Sequence, residues 1–289
     1  MSEQVPAGTP GLISIVLTVW GDYVDFLPGA LESLQGQDVP SVEFIVVDNA
    51  SDPPIADLPD VRIVRTAERM TVGHARNFGL THVTGEYVLF WDADDLMLPG
   101  ALQRLREVIE GDAQVTVVTM DSISWTPETG PGGPWPWPRS IMYRLAPHRR
   151  ILALMALLYN PFTTTGPALL RTRDVRDAEG FPDIPCCEDW ALSGSLAVRG
   201  RVVMLQEPGR LYRVHDASLT LEHLGGSEQA GWLQGIRARA RRDPRVPLWI
   251  KALLPLVRLH HLWRENRRVV EDSGVGYYKA ALEKTTSAG

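Results

Sequence analysis

The sequence has few of the features that mark secreted, membrane-spanning or disulfide-stabilised proteins. Its 289 residues include only two cysteines, the neighbours Cys186 and Cys187. Because adjacent cysteines rarely form a structural disulfide, we expect a reducing, cytoplasmic location. The chain has no run of eighteen apolar residues, and no basic N-terminal segment is followed by an apolar one. We therefore expect neither a signal peptide nor a membrane-spanning helix.

Two motifs of nucleotide-binding enzymes are also missing. No G-x-G-x-x-G follows the first predicted strand, which disfavours a dinucleotide-dependent dehydrogenase. The segment LTVWGDYVDF contains no glycine-rich, basic phosphate loop, so a nucleotidyltransferase remains only an alternative. The net charge of −6 argues against a nucleic-acid partner.

The first half of the chain alternates short apolar segments with longer mixed ones. The apolar segments predict strands at 12–19, 42–48, 61–65, 86–91 and 115–120, and the mixed ones predict helices at 24–35, 71–83 and 99–110. This alternation is typical of an α/β fold, in which a mostly parallel, Rossmann-like sheet is flanked by helices.

The second half is less regular. Prolines and glycines at 126–138 predict a loop, either a packed connection or a flap over a substrate. Further on, the pattern predicts a helix at 151–159, a strand-like segment at 161–172, a helix at 189–198 and a strand at 201–205. The last third is predicted to be helical.

Three aspartates, Asp92, Asp94 and Asp95, follow the fourth predicted strand in the segment YVLFWDADD. Ligands of open α/β sheets bind beyond the carboxyl ends of the strands, so this is where a site is expected. Carboxylates together with substrate phosphates are typical ligands of Mg²⁺ and Mn²⁺. A turn that uses aspartates only for local hydrogen bonds is the alternative.

Two further segments carry polar groups near this predicted site. The second strand ends in Asp48, and Asn49 and Ser51 follow it, a cluster that could bind a base or ribose by hydrogen bonds. A strand-end turn would explain the same residues. Arg76 lies on the predicted helix before the fourth strand, where it could contact a diphosphate or pair with the aspartates.

In this order, the segments make the chain resemble the family 2 glycosyltransferases, which have the GT-A fold. The matching segments are ISIVLTVWGD, EFIVVDNASD, GHARNFGL, GEYVLFWDADD, GPALLRTRDVRDAEGF, CCEDWAL and RLYRVHDASLT, and they cover about Ile13 to Thr220. The resemblance implies a GT-A catalytic domain at 1–235, with a nucleotide-sugar half to about 125 and an acceptor half after it. A helical C-terminal extension would occupy 236–289.

The resemblance also implies a donor site. Thr18 and Trp20 would line the nucleotide pocket, Asp48 would bind the base, Arg76 would face the diphosphate, and Asp92 would contact the ribose or the donor sugar. Trp20 stands where the family usually has Tyr, and it can still stack on a base.

Metal and leaving-group contacts follow from the same comparison. Asp94 would hold Mn²⁺ or Mg²⁺ with Asp95 close by, and His215 would reach the metal or the leaving phosphate. Arg213 would assist through the same phosphate. UDP is the nucleotide that the resemblance favours.

The family places an acidic pair at the start of a helix, here Glu188 and Asp189. We expect Asp189 to be the base that deprotonates the acceptor hydroxyl, with Glu188 as the alternative base. Acidic residues that only favour a helix N-terminus would give the same pattern. The expected reaction is an inverting single displacement, and an inactive nucleotide- or sugar-binding module is the non-enzymatic alternative.

The acceptor and the C-terminal region are less constrained by the sequence. A carbohydrate, a lipid-linked molecule or a small molecule could accept the sugar. Ten Lys or Arg and only two acidic residues lie between 236 and 268. The segment LWIKALLPLVRLHHLWRENRR could form an interfacial helix on the inner face of a membrane, or a helix packed on the catalytic domain and kinked at Pro255.

Overall fold

A computed structural model describes residues 8–134, 140–184, 187–215 and 229–267 of the chain. The strands are β1 Thr9–Val19, β2 Val42–Asp48, β3 Val61–Arg65, β4 Gly85–Asp92, β5 Leu96–Met97, β6 Val115–Thr126, β7 Gly130–Pro134, β8 Ala168–Arg171 and β9 Arg201–Arg213. A 3₁₀ helix at Gly21–Phe26 precedes α1 Leu27–Gln35, α2 Val72–His82, α3 Ala101–Glu110, α4 Ser140–Leu145, α5 Arg149–Met155, α6 Thr172–Asp177, α7 Glu188–Ala197, α8 Gln229–Arg242, α9 Leu248–Ala252 and α10 Leu254–Arg267.

The strands form one sheet in the order β3-β2-β1-β4-β8-β6-β9-β5, and β7 pairs with β6 at the side. In the first half, β3, β2, β1 and β4 run parallel. Their register places Asp48 beside Val19 and Asp92 beside Thr18. The two strand-end aspartates therefore lie at the same edge of the sheet, as the sequence predicted.

The second half of the sheet is mixed. β8 is antiparallel to both β4 and β6, β9 is parallel to β6, and β5 is antiparallel to β9. The predicted α/β fold is confirmed; the pairings among the first four strands are all parallel, whereas parallel and antiparallel pairings mix in the second half. Because β9 meets both β6 and β5, this strand connects the sheet interior to the turn after β4.

Each face of the sheet covers one hydrophobic core. Alternate residues of β1 belong to different cores, since side chains of a strand point to opposite faces. Ile15 and Leu17 pack with the helices α1 and α3, whereas Val16 packs on the opposite side with α2. The core on the Val16 side continues into α5, α7, α8 and α10, so the C-terminal helices belong to the same packed body as the sheet.

Two of the differences from the sequence prediction lie in the second half of the sheet. β6 continues to Thr126, and Gly130–Pro134 forms the short strand β7 where a loop was predicted. A proline is tolerated there because β7 has a partner on one side only. β9 is also longer than predicted and ends at Arg213 instead of residue 205.

The C-terminal helices match the predicted helical character. Leu253 separates α9 from α10, and Pro255 lies in the first turn of α10, where a helix tolerates proline. The domain boundary placed at 235 falls inside α8, whose Trp232, Leu233 and Ile236 are all buried in one core. No helix in the described ranges is long and apolar enough to cross a bilayer.

Candidate active site

The turn after β4 is held from inside by Asp95. This side chain is 1% exposed, and its two oxygens accept hydrogen bonds from Arg210 Nη1 and from the Arg213 backbone N–H, both at 2.9 Å. Burial raises the pKa of the Asp95 carboxyl well above its ordinary value, although Arg210 opposes this. Both carboxylate oxygens of Asp95 therefore bind β9 and hold the turn in place.

Asp94 and His215 face each other beside this turn. Asp94 Oδ2 lies 3.0 Å from His215 Nε2, and both side chains keep 15% of their surface exposed. The His215 ring packs against Tyr23 and Phe26 of the 3₁₀ helix, with ring centroids 5.7 and 5.5 Å away. A carboxylate and an imidazole are thus brought together at the solvent-facing side of the turn.

Arg213 completes this group. Its Nε donates to the Asp94 backbone carbonyl at 2.8 Å, and its guanidinium lies over the rings of Phe26 and Trp125. Burial lowers the pKa of Arg213, while Asp94 and Asp95 act in the opposite direction. The charge of this arginine is therefore directed towards the aspartate turn.

Arg76 bridges the donor side and the predicted base helix. This residue of α2 is 5% exposed, and its Nη2 donates to Asp92 Oδ1 at 2.6 Å while its Nη1 donates to Glu188 Oε1. Burial disfavours its charge, but Asp92 and Glu188 outweigh burial and raise the pKa of the guanidinium further. Of the two roles considered for Arg76, pairing with an aspartate is the one seen here.

The acidic pair lies at the beginning of α7. Glu188 is buried and bonded to Arg76, whereas Asp189 is half-buried and accepts a hydrogen bond from Asn160 Nδ2 at 3.0 Å. Burial raises the pKa of Asp189, and Arg76 partly offsets the effect. Burial also raises the pKa of Glu188 against the influence of Arg76. Within the described part of the chain, Asp189 is thus the carboxylate of the pair that bonds to no arginine.

The residues predicted to line the nucleotide pocket, Thr18 and Trp20, lie at the end of β1, next to the end of β4. Trp20 is half-buried next to Tyr23, and the guanidinium carbon of Arg69 lies 5.7 Å from the Trp20 ring centroid. Thr18, 3% exposed, lies one residue before the end of β1. These residues provide an aromatic surface and a buried hydroxyl beside Asp92.

Asp48 organises the turn that follows β2. Its Oδ1 accepts from the Ser51 backbone N–H at 2.8 Å, and its Oδ2 accepts from the Ile55 N–H at 3.2 Å and from Arg65. Burial opposes ionisation, but these hydrogen bonds outweigh it and lower the pKa of Asp48. Both oxygens hold the chain's own groups, as expected for a strand-end turn, so the assignment of Asp48 to base binding stays a prediction.

Two residues of the site were missed by the sequence analysis, Arg210 beside Asp95 and Asn160 beside Asp189. Asn49 was predicted as a possible contact to a base or ribose, and its amide group bonds both the N–H and the carbonyl of Met70. Arg210 and Arg213 both lie in the RLYRVH segment, and two arginines in a strand are a signal that buried carboxylates are near. Asn160 carries no comparable signal.

Gly166 makes room for Arg210. Its φ is +68°, and a Cβ added there would lie 2.3 Å from Arg210 Nη1. Its backbone N–H donates to the Phe90 carbonyl at 2.7 Å, which places it beside β4. The buried arginine and this glycine therefore depend on each other.

A second glycine–side chain contact joins α2 to the segment before α7. Asn77 donates to the Phe181 carbonyl at 2.7 Å and accepts from the Phe181 N–H at 2.8 Å. Gly180 has φ of +59°, and a Cβ there would lie 2.1 Å from Asn77 Oδ1. The AEGF segment is thereby tied to the helix that carries Arg76.

The predicted residues fall into two groups at one edge of the sheet. Asp92, Arg76 and Glu188 form the first, with Asp189 next in sequence; Asp94, Asp95, Arg213 and His215 form the second. Asp48 instead bonds with residues 51, 55 and 65. No group of three or more His, Cys, Asp or Glu side chains in the described part of the chain is arranged to hold a metal ion.

Solved structures with the same fold are glycosyltransferases of the GT-A class. Staphylococcus aureus TarS residues 1–349 in complex with UDP-GlcNAc aligns with a TM-score of 0.65 at 17% identity, over 91% of this chain and 73% of that one. The mannosyltransferase PcManGT from Pyrobaculum calidifontis, in complex with GDP-Man and Mn²⁺, aligns with a TM-score of 0.57 at 20% identity, over 96% and 79%. The predicted GT-A fold is confirmed.

Residues 14–177 match the family model described as glycosyl transferase family 2, and the chain belongs to this family. The succinoglycan biosynthesis protein ExoO of Rhizobium meliloti (strain 1021) is 32% identical over 107 residues, which are 35% of this chain and 31% of that protein. An uncharacterized glycosyltransferase of Nostoc sp. is 31% identical over 114 residues, 37% and 35% of the two chains. The chain spans about a third of the length of these relatives. The family that the sequence predicted is confirmed.

Proposed function

We propose that the chain transfers a sugar from a nucleotide-sugar donor to an acceptor hydroxyl by an inverting single displacement. The observation that carries this proposal is the Arg76 bridge, which connects Asp92 at the end of β4 to Glu188 at the start of α7. Because Asp189 follows Glu188 directly, the bridge supports a role for Asp189 next to the donor residues; among the described residues Asp189 bonds to Asn160 and to no arginine. Family membership argues against both alternatives, a nucleotidyltransferase and an inactive binding module.

In the proposed reaction Asp189 removes the proton of the acceptor hydroxyl. The acceptor oxygen forms a bond to the anomeric carbon while the bond from that carbon to the diphosphate oxygen breaks. The electron pair leaves with the nucleoside diphosphate, and the anomeric configuration inverts. The raised pKa of Asp189 suits this role, since a general base works best when its pKa approaches the working pH.

Donor binding is assigned to Trp20, Thr18 and Asp92. Trp20 would stack on the base, and Thr18 and Asp92 would bind sugar hydroxyls. A UDP-sugar is the donor that we propose first. The complexes of TarS with UDP-GlcNAc and of PcManGT with GDP-Man support nucleotide-sugar use, and GDP is the alternative carrier. Arg76 would act here by holding Asp92 and Glu188 in place.

A divalent cation fits the second group of residues. Asp94 and His215 offer one carboxylate oxygen and one imidazole nitrogen 3.0 Å apart. Mg²⁺ and Mn²⁺ sites often take one or two protein ligands and complete their shell with substrate phosphates and water. The cation would neutralise charge on the leaving diphosphate, and Mn²⁺ in the PcManGT complex supports this use. Both oxygens of Asp95 are hydrogen-bonded, so we assign this residue to holding the turn. We assign Arg213 to binding a phosphate of the leaving diphosphate.

Two substitutions test the proposal together. We expect Asp189→Asn to lower the transfer rate by about 10²- to 10⁴-fold while leaving donor binding intact, since it removes only the base. We expect Asp94→Asn to abolish the Mn²⁺-dependent rise in melting temperature that UDP produces, because a ligand stabilises only the state that it binds. Radiolabelled sugar transfer and thermal melting with and without Mn²⁺ measure the two effects. Normal transfer by Asp189→Asn would disprove the base assignment.

A further inference from the structure

The exposed apolar side chains are distributed unevenly over the molecule. The large hydrophobic residues that are exposed in the described ranges are Ile141, Ile151, Leu248, Trp249, Leu256, Leu259 and Leu262. None of them lies before residue 135, and five lie on α9 and α10. Large apolar patches on a protein surface usually mark sites of interaction.

Helix α10 is apolar on two opposite sides. Leu254, Val257 and His261 are buried against the core at spacings of three and four residues. On the side facing away from the core, Leu256 and Leu259 are each 61% exposed and Leu262 is 41% exposed. A helix that only packs on its own domain needs one apolar stripe, so the second stripe is unexplained by the fold.

Helix α9 repeats this arrangement at shorter length. Ile250 is 1% exposed and anchors the helix in the core, whereas Leu248 is 82% exposed and Trp249 is 44% exposed. Tryptophan is favoured where an apolar region meets a wet, polar one. We call Leu248, Trp249, Leu256, Leu259 and Leu262 the outer apolar face.

The segment that carries this face is rich in basic residues, although the protein is acidic overall. Residues 236–262 contain seven Lys or Arg and one acid, Asp243. Asp243 is buried and paired with Arg199 at 2.6 Å, so it does not offset the exposed basic groups. Arg241, Arg242 and Arg258 are exposed at the end of α8 and on α10. The net charge of the whole chain is −6, so this concentration of positive charge is local.

We infer that the outer apolar face docks on an anionic lipid bilayer, with its leucines and Trp249 in the interface and the arginines at the headgroups. Apolar side chains on helices lying in the membrane plane, flanked by Lys and Arg, bind such surfaces by combined burial and charge attraction. The charge decides between occupants, because a second copy of this chain would place like charges opposite each other. The docking does not depend on the chemistry proposed for the site.

Vesicle flotation of the full chain tests this inference. We expect the protein to float with vesicles of phosphatidylcholine and phosphatidylglycerol, and not with phosphatidylcholine alone. Raising the salt concentration should release part of it, since salt screens the attraction between exposed charges. We expect Leu256→Asp/Leu259→Asp to weaken binding by about tenfold or more, because it replaces apolar area with repelled charge. Both side chains are largely exposed, so the variant should melt like the wild type.

A matched control separates the face from added charge alone. Gln35→Asp/Gln103→Asp places two new carboxylates on exposed positions of α1 and α3 and should float like the wild type. Equal binding by the Leu256→Asp/Leu259→Asp variant and the wild type would overturn the inference. So would a concentration-dependent dimer without vesicle binding, which would indicate a second copy as the occupant. Binding that arises only after residues 268–289 are removed would overturn the inference for the full chain.

Discussion

Two buried arginines lie on either side of the aspartate turn, and they differ in what they connect. Arg76 on α2 pairs with Asp92 and Glu188, carboxylates from two distant parts of the chain that both belong to the proposed reaction centre. Arg210 on β9 bonds with Asp95 and with the Ser122 hydroxyl, which are themselves buried. The first arginine thus assembles the site, while the second supports the turn beneath it.

Buried ion pairs at one edge of the sheet therefore have two different roles: those of Arg76 bring site residues together, and that of Arg210 supports a turn. Desolvating a charge is costly unless partners compensate it, so both arginines must keep their carboxylates for the fold to be stable. Arg76, however, bonds directly to two groups that we assign to the reaction centre, Asp92 and Glu188, whereas Arg210 reaches only one of them, Asp92 Oδ2, at 3.9 Å. Comparable losses of stability should therefore accompany very different losses of activity.

The largest expected effect is the direct test of this comparison. Both Arg76→Met and Arg210→Met leave a carboxylate buried without its partner, and each should destabilise the protein by about 3–5 kcal/mol. We expect the transfer rate, divided by the fraction of folded protein, to fall about 100-fold in Arg76→Met, because the carboxylates that Arg76 holds are no longer aligned. Arg210→Met should lose much less. Denaturant unfolding and transfer rates at low temperature measure both, and equal activity losses would remove the distinction.

A smaller effect is expected at the glycine that accommodates Arg210. Gly166→Ala combines a positive φ with a Cβ against the guanidinium, whereas Gly130→Ala has a φ of +72° and nothing within 4 Å of the new Cβ. We expect about 1–2 kcal/mol of strain in both variants and about 1–3 kcal/mol more in Gly166→Ala. Denaturant unfolding of the pair isolates the contact with Arg210. Equal destabilisation would mean that Arg210 moves aside freely.

The smallest expected effect concerns the pH dependence of transfer. Asp189 must be deprotonated, so the rate should fall as the pH drops through its pKa, which burial raises above the ordinary value. Asn160→Ala removes a hydrogen bond to the charged form, raises that pKa further and should move the acid limb to higher pH by up to about one unit. Thr163→Ala serves as the control, because it loses only the hydrogen bonds of its hydroxyl to the Thr165 carbonyl and from the Thr165 N–H. An unchanged limb in Asn160→Ala would exclude a role for Asn160 in positioning the base.

Much of the fold and part of the site could be predicted because they depend on local sequence. Buried parallel strands read as continuous apolar segments, so β2 and β3 were predicted with their observed bounds. The aspartates at the ends of β2 and β4 meet at one edge because parallel strands align their carboxyl ends. The prediction at 24–35 merged a 3₁₀ helix with α1, since both contain the same mixture of apolar and polar residues.

The remainder depends on contacts between distant residues. Arg210 and Asp95 are separated by 115 positions, and nothing in either segment specifies the other as partner. The same holds for Asn160, which follows α5, and Asp189 on α7, which meet because α5 and α7 pack against each other. β7 was missed because edge pairing tolerates the prolines and glycines that usually indicate a loop.

The contact between Asn77 and Gly180 has an evolutionary consequence. Since a Cβ at 180 would overlap the Asn77 amide, a larger residue can enter position 180 only if position 77 first loses its side-chain oxygen. That first change would release both hydrogen bonds to Phe181. Substitutions at the two positions must therefore occur in this order. A sequence that keeps the hydrogen bonds between α2 and the segment before α7 cannot change either position alone.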